Sequence, residues 1–402
     1  MRENAMSTKK LPYKLSGSSK ITTSIPNDLI ILRNNCINSL NSSSSKADSI
    51  TCIDTWLKYT EGLVTHRYEA NNDAALIEEE IAIALINVAV FYQDIGIETL
   101  YRAYESSQAS NNLWTTSGTY LKRGLGLICF LGKNFQINTA NDCQKMQVLN
   151  VLNQLSLEFQ LLQQLGIVVL ALSKLRSKIS KDAVADLEPQ ELEELGKSSV
   201  FYAKLCIGSY STASQCQGGR IVDALFMNYL QSLTYLFLSI NQYNIDECGI
   251  AIGMLQESIK KLLNIVPNSQ LKELDILSSN DITKKRDLIK MSFKRKIHGS
   301  TLKNQRIFEK KVPFSSKAYM MPLLKSSLDD FIIPLTILLR YRYQTTNENY
   351  SFKTVETDVS KLKELFPRGK SSDIEGTVWS FQDGHLTFAD SNNATHNCGN
   401  YF

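Results

Sequence analysis

The residue types that carry most enzyme chemistry are few in this sequence and lie far apart. Catalysis by a nucleophile or by an acid and base needs such side chains close together in a fixed arrangement. The motifs HExxH, GxSxG and GxxxxGK, which supply such arrangements, do not occur in the 402 residues. The histidines are isolated from one another: they are His66, His298, His385 and His396. The sequence therefore predicts a protein that is not an enzyme.

The cysteines also lack the spacing of a metal site or of a disulfide framework. The eight of them stand at positions 36, 52, 129, 143, 206, 216, 248 and 398, without a CxxC pair. Several lie in apolar helical stretches, and the first twenty residues lack the apolar core of a secretory signal. We therefore expect reduced, buried thiols in a cytoplasmic protein that uses no metal and no cofactor.

The strongest charge feature is the segment 284–311, which holds eleven Lys or Arg residues against two acids. Apolar residues between these charges give an amphipathic pattern, which suits an anionic membrane, an acidic protein or RNA. RNA is the least favoured because aromatic side chains for base stacking are nearly absent. A solvated surface helix and turn is an equally weighted alternative. The candidate contact residues are Lys284, Lys285, Arg286, Lys290, Lys294, Arg295 and Lys296.

A predicted helix from Glu78 to Gly96 is the element best suited to organise the fold. Its apolar residues follow the i, i+3, i+4, i+7 spacing on one face and fill much of the opposite face, so it must be buried on several sides. The glutamates at 78–80 are expected to complement the helix dipole from its first turn. The helix is too short to span a bilayer, and the sequence has no run of 18 apolar residues.

Helical patterns fill most of the remaining chain and are joined by short polar turns. They cover 27–58 with a serine loop at 42–45, 76–108 with a break near Gly96, 112–131, 146–178, 187–215, 219–240 and 246–265. This organisation predicts an all-α fold, an elongated array with a tetratricopeptide-like core but without the roughly 34-residue repeat. A small β element is predicted at 11–25, and 370–402 is predicted to be a flexible tail.

The segment ALINVAVFYQDIG, from Ala84 to Gly96, resembles the signature helix of the Bro domain of Alix-type proteins. LPYKL at 11–15 resembles the leading strand of that family, and KNQRIFEKKVP at 303–313 is similar to its closing motif. Segments between 120 and 262 resemble the intervening helices in the right order. Residues 341–369 resemble the C-terminal end of the PalC branch, whose members are single Bro-like domains in the fungal response to ambient pH.

The resemblance implies one Bro-like domain over 1–369, with its core at about 11–313 and a PalC-like helical end at 314–369. It implies a cytoplasmic adaptor that is recruited to endosomal or plasma membranes and works with the other components of an alkaline-pH proteolytic signalling complex. In Bro domains the core subunit of ESCRT-III docks its C-terminal amphipathic helix into a groove between mid-domain helices. On the matching helices here the candidate contact residues are Ile207, Ile221, Leu225, Phe226 and Met227.

Two alternative functions stay open. One is a Bro-domain accessory in multivesicular-body sorting, which is disfavoured because the chain lacks a cargo-binding arm. The other is a membrane- or RNA-binding module that uses the segment 284–311. Binding driven by phosphate groups would fall steeply with added salt, whereas an apolar groove would respond little. The adaptor hypothesis allows a peripheral membrane contact and expects no nucleic acid.

Overall fold

A computed structural model of the chain shows an all-α fold, as the sequence predicts, with a small antiparallel hairpin. The structure describes residues 21, 24–42, 46–69, 74–106, 112–134, 142–179, 189–216, 221–265, 320–371 and 374–389. The helices are α1 Asn27–Ser42, α2 Lys46–Glu69, α3 Ala74–Glu105, α4 Leu113–Asn134, α5 Asp142–Ile179, α6 Pro189–Lys197, α7 Ser199–Gln215, α8 Ala224–Asn244, α9 Cys248–Leu263, α10 Pro322–Ser327, α11 Ile333–Thr346 and α12 Val359–Glu364. The strands are β1 Val378–Gln382 and β2 His385–Ala389.

The helices follow one another in space in the order of the chain. Each of α1 to α5 packs against the next, α5 packs against α7, and α8 lies between α7 and α9. Helix α11 closes this end by packing on α9, and a π-helical turn, Leu328–Ile332, joins it to α10. Short connections between long helices produce such an antiparallel array.

Helix α3 is the buried centre that its sequence predicts. Each residue from 81 to 93 is buried, on all faces of the helix. The predicted break near Gly96 is wrong, because α3 continues without interruption to Glu105. Gly96 instead provides room for α4, since a Cβ added there would lie 2.7 Å from Cδ2 of Leu121.

Among the described helices, two are long and apolar enough to cross a membrane by length and composition alone. They are the stretches Leu76–Glu105 of α3 and Val148–Ser177 of α5. In the fold, 89% and 78% of their most apolar windows are buried. Burial on this scale is what the core helices of a helical array show.

Glu78 and Glu80 near the start of α3 form ion pairs, and no acidic residue lies in its first turn, so the assignment of the glutamates to the helix dipole is wrong. Helix α3 begins one turn earlier than predicted, which places them beyond its first turn. Glu80 is buried, and its Oε1 accepts hydrogen bonds from Arg33 Nε at 2.8 Å and from the Tyr59 hydroxyl at 3.0 Å. Glu78 pairs with Arg67. These pairs join α1 and α2 to α3, and pairing is what makes a buried charge tolerable.

After α11 the chain turns back and crosses the array in the reverse of the helix order. We call this segment the strap and define it as residues 352–371 and 374–389, which include α12, β1 and β2. It contacts α9, then α8 and α7, then α4 and α3, and finally α2. The strap therefore contacts six helices in turn, from α9 to α2.

The prediction of a flexible tail from 370 onward is wrong for the described residues up to 389. Strands β1 and β2 pair antiparallel, with Val378 opposite Ala389. Asp383 and Gly384 form the turn between them and have positive φ angles of 51° and 83°. An Asp-Gly pair between alternating apolar stretches is the sequence signal for such a hairpin, so the signal was present in the sequence.

The small β element predicted at 11–25 lies mostly outside the described residues, as does the chain from 390 to 402. Within the predicted element, three residues are described: Ile21 and Ser24 are helical, and Ile25 lies at a bend. The hairpin at the other end of the chain is therefore the β structure that the described residues contain.

Candidate functional site: a helix face crossed by the strap

Four of the five predicted apolar contact residues are half-buried on α7, on α8 or just before α8. Ile207 lies on α7, Leu225 and Met227 lie on the first turn of α8, and Ile221 precedes that turn. We call these four residues the apolar face. The fifth assignment, Phe226, is wrong, because its side chain is 1% exposed and packs in the core.

The helical repeat explains why Phe226 differs from its neighbours. Successive residues of an α-helix are rotated by about 100°. Tyr235 marks the strap side of α8, because its ring lies 5.1 Å from that of Phe366 in the strap, measured between centroids. Leu225 and Met227 point about 80° to either side of the Tyr235 direction, whereas Phe226 points about 180° away from it. Tyr235, Leu225 and Met227 therefore lie on the strap side of α8. Phe226 lies on the core side.

The strap docks on three helices through one repeated backbone contact. At each helix a strap residue donates its N–H to a helix carbonyl and places its own carbonyl against the glycine four residues further along that helix. The contacts join Glu356 to Gly249 and Gly253 of α9, Lys370 to Lys204 and Gly208 of α7, and Thr377 to Lys122 and Gly126 of α4, with N···O distances of 3.4, 2.9 and 3.0 Å. At each of the three helices, the strap is therefore bound through one of its backbone N–H groups and one of its backbone carbonyl groups.

Glycine is required at these positions because the strap backbone lies directly on the helix. A Cβ added at Gly253, Gly208 or Gly126 would lie 2.1, 2.2 or 1.9 Å from the strap carbonyl oxygen. Each glycine lowers helix stability by about 1 kcal/mol relative to alanine. A Cα–H···O contact returns about 0.5–1 kcal/mol. The close approach therefore offsets most of the cost of a glycine inside a helix.

Some glycines within the helices contact another helix and not the strap. Gly124 of α4 allows close packing of two helices, since a Cβ there would lie 2.4 Å from the Phe159 ring of α5. Gly126 faces the Thr377 carbonyl of the strap instead. Two glycines on one helix thus have different partners.

Trp379 anchors the far end of the strap on α3 and α4. Its side chain is 5% exposed, and its Nε1 donates to the Arg123 carbonyl at 3.0 Å. Its ring lies 6.4 Å from Tyr92 of α3 and 4.9 Å from Phe388 on β2, measured between centroids. The indole thus fills the space between the hairpin and the array.

The hairpin also reaches α2 through Glu61. One carboxylate oxygen of Glu61 accepts the backbone N–H of Leu386 at 2.8 Å, and the other lies 3.4 Å from Nδ1 of His385. Leu386 itself is buried. The strap therefore begins on α9 and ends on α2.

Among the described residues no three His, Cys, Asp or Glu side chains come together as a metal site would require. Among the cysteines whose side chains are described, Cys129 is an exposed free thiol, and the buried free thiols are Cys36, Cys52, Cys206, Cys216 and Cys248. Burial is the main reason that the pKa of Cys36 is raised to about 12 and that of Cys216 to about 11. Burial also raises the pKa of Cys206. Since the thiolate is the reactive form, these thiols are inert in the folded chain, whereas Cys129 departs from the predicted burial.

The basic residues predicted to contact an anionic surface lie outside the described residues. This applies to the whole segment 284–311. Its amphipathic pattern stays a prediction from the sequence.

Comparison with known proteins places the chain in a family without assigning it a function. A Saccharomyces cerevisiae protein described as uncharacterised is 99% identical over 402 residues, which cover 100% of both chains. No solved structure matches the chain. The model of a family of unknown function, DUF5355, matches residues 75–402. The match takes in the central helix, the apolar face and the strap. The chain is therefore a member of the DUF5355 family.

Proposed function

We propose that this protein is a non-enzymatic adaptor of the fungal ambient alkaline-pH signalling pathway. It binds the C-terminal helix of the ESCRT-III core subunit and promotes assembly of the complex that proteolytically activates a zinc-finger transcription factor. The protease is a partner, and the adaptor is cytoplasmic and recruited to endosomal or plasma membranes. The resemblance of Ala84–Gly96 and of the later segments to Bro domains supports this proposal.

The apolar face is the structural observation that carries the proposal. Ile207, Leu225 and Met227 are half-buried on neighbouring helices, and all three flank the strap side of α7 and α8. An amphipathic helix binds by laying its apolar side chains along such a surface at i, i+3, i+4 and i+7. The apolar face offers side chains on two adjacent helices for this purpose.

The proposal is tested with the full chain and a fluorescently labelled peptide of the ESCRT-III subunit's C-terminal helix. Fluorescence anisotropy measures the affinity. We expect Leu225→Asp and Ile221→Asp to weaken binding about tenfold or more, because a charge then faces the apolar side of the peptide. Ile31→Asp is the matched control, since Ile31 is 61% exposed on α1, outside the apolar face.

The two possible failures have different meanings. If the unaltered protein does not bind the peptide, the proposed function is wrong. If it binds and both aspartate variants fold and bind equally well, the function stands and the apolar face is not the binding surface.

A further inference from the structure

The strap buries one side chain on each side of a stretch whose own side chains are not buried. Leu362 is 1% exposed and Trp379 is 5% exposed. Between these residues, each described side chain is half-buried or exposed. Segments with few buried apolar contacts open locally at a much lower free energy than the core. Residues 363–371 therefore form the part of the strap that can lift most easily from α7 and α8, and we call them the cover.

The cover contacts α7 and α8 through its backbone and through two side chains. The Lys370 N–H donates to the Lys204 carbonyl at 2.9 Å. The Lys370 ammonium lies 5.3 Å from the centre of the Phe201 ring of α7. The Phe366 ring packs edge-on against Tyr235 of α8. Lys370 is exposed, so solvent competes with its contacts, whereas Phe366 is half-buried on the buried Tyr235.

The cover lies over part of the apolar face. A Cβ added at Gly369 would lie 2.9 Å from Cγ2 of Ile207, so the strap backbone already touches this side chain. Phe366 lies on Tyr235, on the strap side of α8 but more than two helical turns further along the helix than Leu225 and Met227. A partner helix that contacts Ile207 as well as α8 needs the space that the cover occupies.

We propose that residues 363–371 are an intramolecular cover that competes with the partner helix for the α7–α8 face. This inference rests on the proposed function and adds its regulation. The partner binds the open form, in which the cover has lifted while Leu362 and Trp379 stay docked. The apparent affinity is then the intrinsic affinity multiplied by the open fraction, so any change that opens the cover tightens binding.

Gly208→Ala is the variant that opens the cover most selectively. The added methyl group would lie 2.2 Å from the Lys370 carbonyl oxygen, so the cover must move away, while the helix gains propensity. Losing the Lys370 hydrogen bond should raise the open fraction, and hence the affinity for the labelled ESCRT-III peptide, by about 2- to 12-fold. Limited trypsin digestion read by mass spectrometry should show faster cleavage after Arg368 and Lys370.

A control and a second variant keep the test independent of folding. Gly132→Ala is the matched control, because nothing lies within 4 Å of a Cβ added there, and it should change neither cleavage nor affinity. Phe366→Ala opens the cover without introducing a clash, by removing the contact with Tyr235. It should tighten binding in the same direction as Gly208→Ala, and it replaces that variant if the latter does not fold.

The outcomes separate the cover from the function. Faster cleavage together with tighter binding in the opened variants supports the cover. Faster cleavage with unchanged or weaker binding overturns it and leaves the proposed function intact. If neither the unaltered protein nor an opened variant binds the peptide, the proposed function is wrong. The proposal that residues 363–371 compete with the partner helix is then wrong as well.

Discussion

Trp379→Ala should release the hairpin from the array and leave the helices folded. Burial of a tryptophan removes about 150–250 Å² from water, which corresponds to about 4–6 kcal/mol at about 25 cal/mol/Å². The hydrogen bond to the Arg123 carbonyl adds about 0.5–1.5 kcal/mol. Trp379→Ala removes both contributions, and the conformational entropy that the hairpin backbone regains on release then favours the undocked hairpin.

Hydrogen exchange read by mass spectrometry measures this release segment by segment. We expect the amides of residues 378–389 to lose protection and those of 81–93 in α3 to keep it. Val378→Ala is the control, since Val378 neighbours Trp379 on the same strand but is 73% exposed. Equal loss of protection in α3 would show that the hairpin is part of the global core. Unchanged protection in the hairpin would show that other contacts hold it.

Two further predictions concern buried polar groups. Asn87 is fully buried in α3, and its side-chain oxygen and nitrogen have no hydrogen-bond partner among the described residues. Asn87→Leu should therefore raise the free energy of unfolding in urea by about 1–3 kcal/mol, and no increase would indicate a bound water that satisfies the amide. At about pH 8, a thiol reagent should label Cys129 quickly but Cys36 and Cys206 only after unfolding, because burial raises their pKa values. Mass spectrometry of the labelled peptides checks this, and fast labelling of Cys206 in the folded protein would contradict it.

The helices can be predicted from the sequence because the apolar positions repeat with the period of a buried helix. In α3 the apolar residues cover several faces, and the helix is buried on all of them. Pro189 begins α6, where its missing N–H costs nothing. The prediction was less accurate at Gly96, because a glycine that lowers helix propensity also allows α4 to approach. Local sequence does not show which of these effects dominates.

The strap escaped prediction because its contacts are remote in sequence and use the backbone. The backbone N–H of Lys370 donates to the carbonyl of Lys204. This pairing does not depend on the type of either side chain, so the sequence does not indicate it. Phe226 was assigned to the surface for a related reason. On a helix as apolar as α8, periodicity gives the spacing of side chains but not the direction of solvent. The position of Phe366 on Tyr235 supplies that direction, and only the fold contains it.

The three glycine contacts change where variation in sequence should be tolerated. The strap is bound through its backbone N–H and C=O groups. Substitutions at its docking residues should therefore leave it bound at the same positions. Gly126, Gly208 and Gly253 have no such freedom, because any other residue displaces the strap. Among diverged members of the family, we therefore expect the docked segment to drift in sequence while the helix surface beneath it stays constant. This is the reverse of the usual expectation for a peptide held in a groove by its side chains.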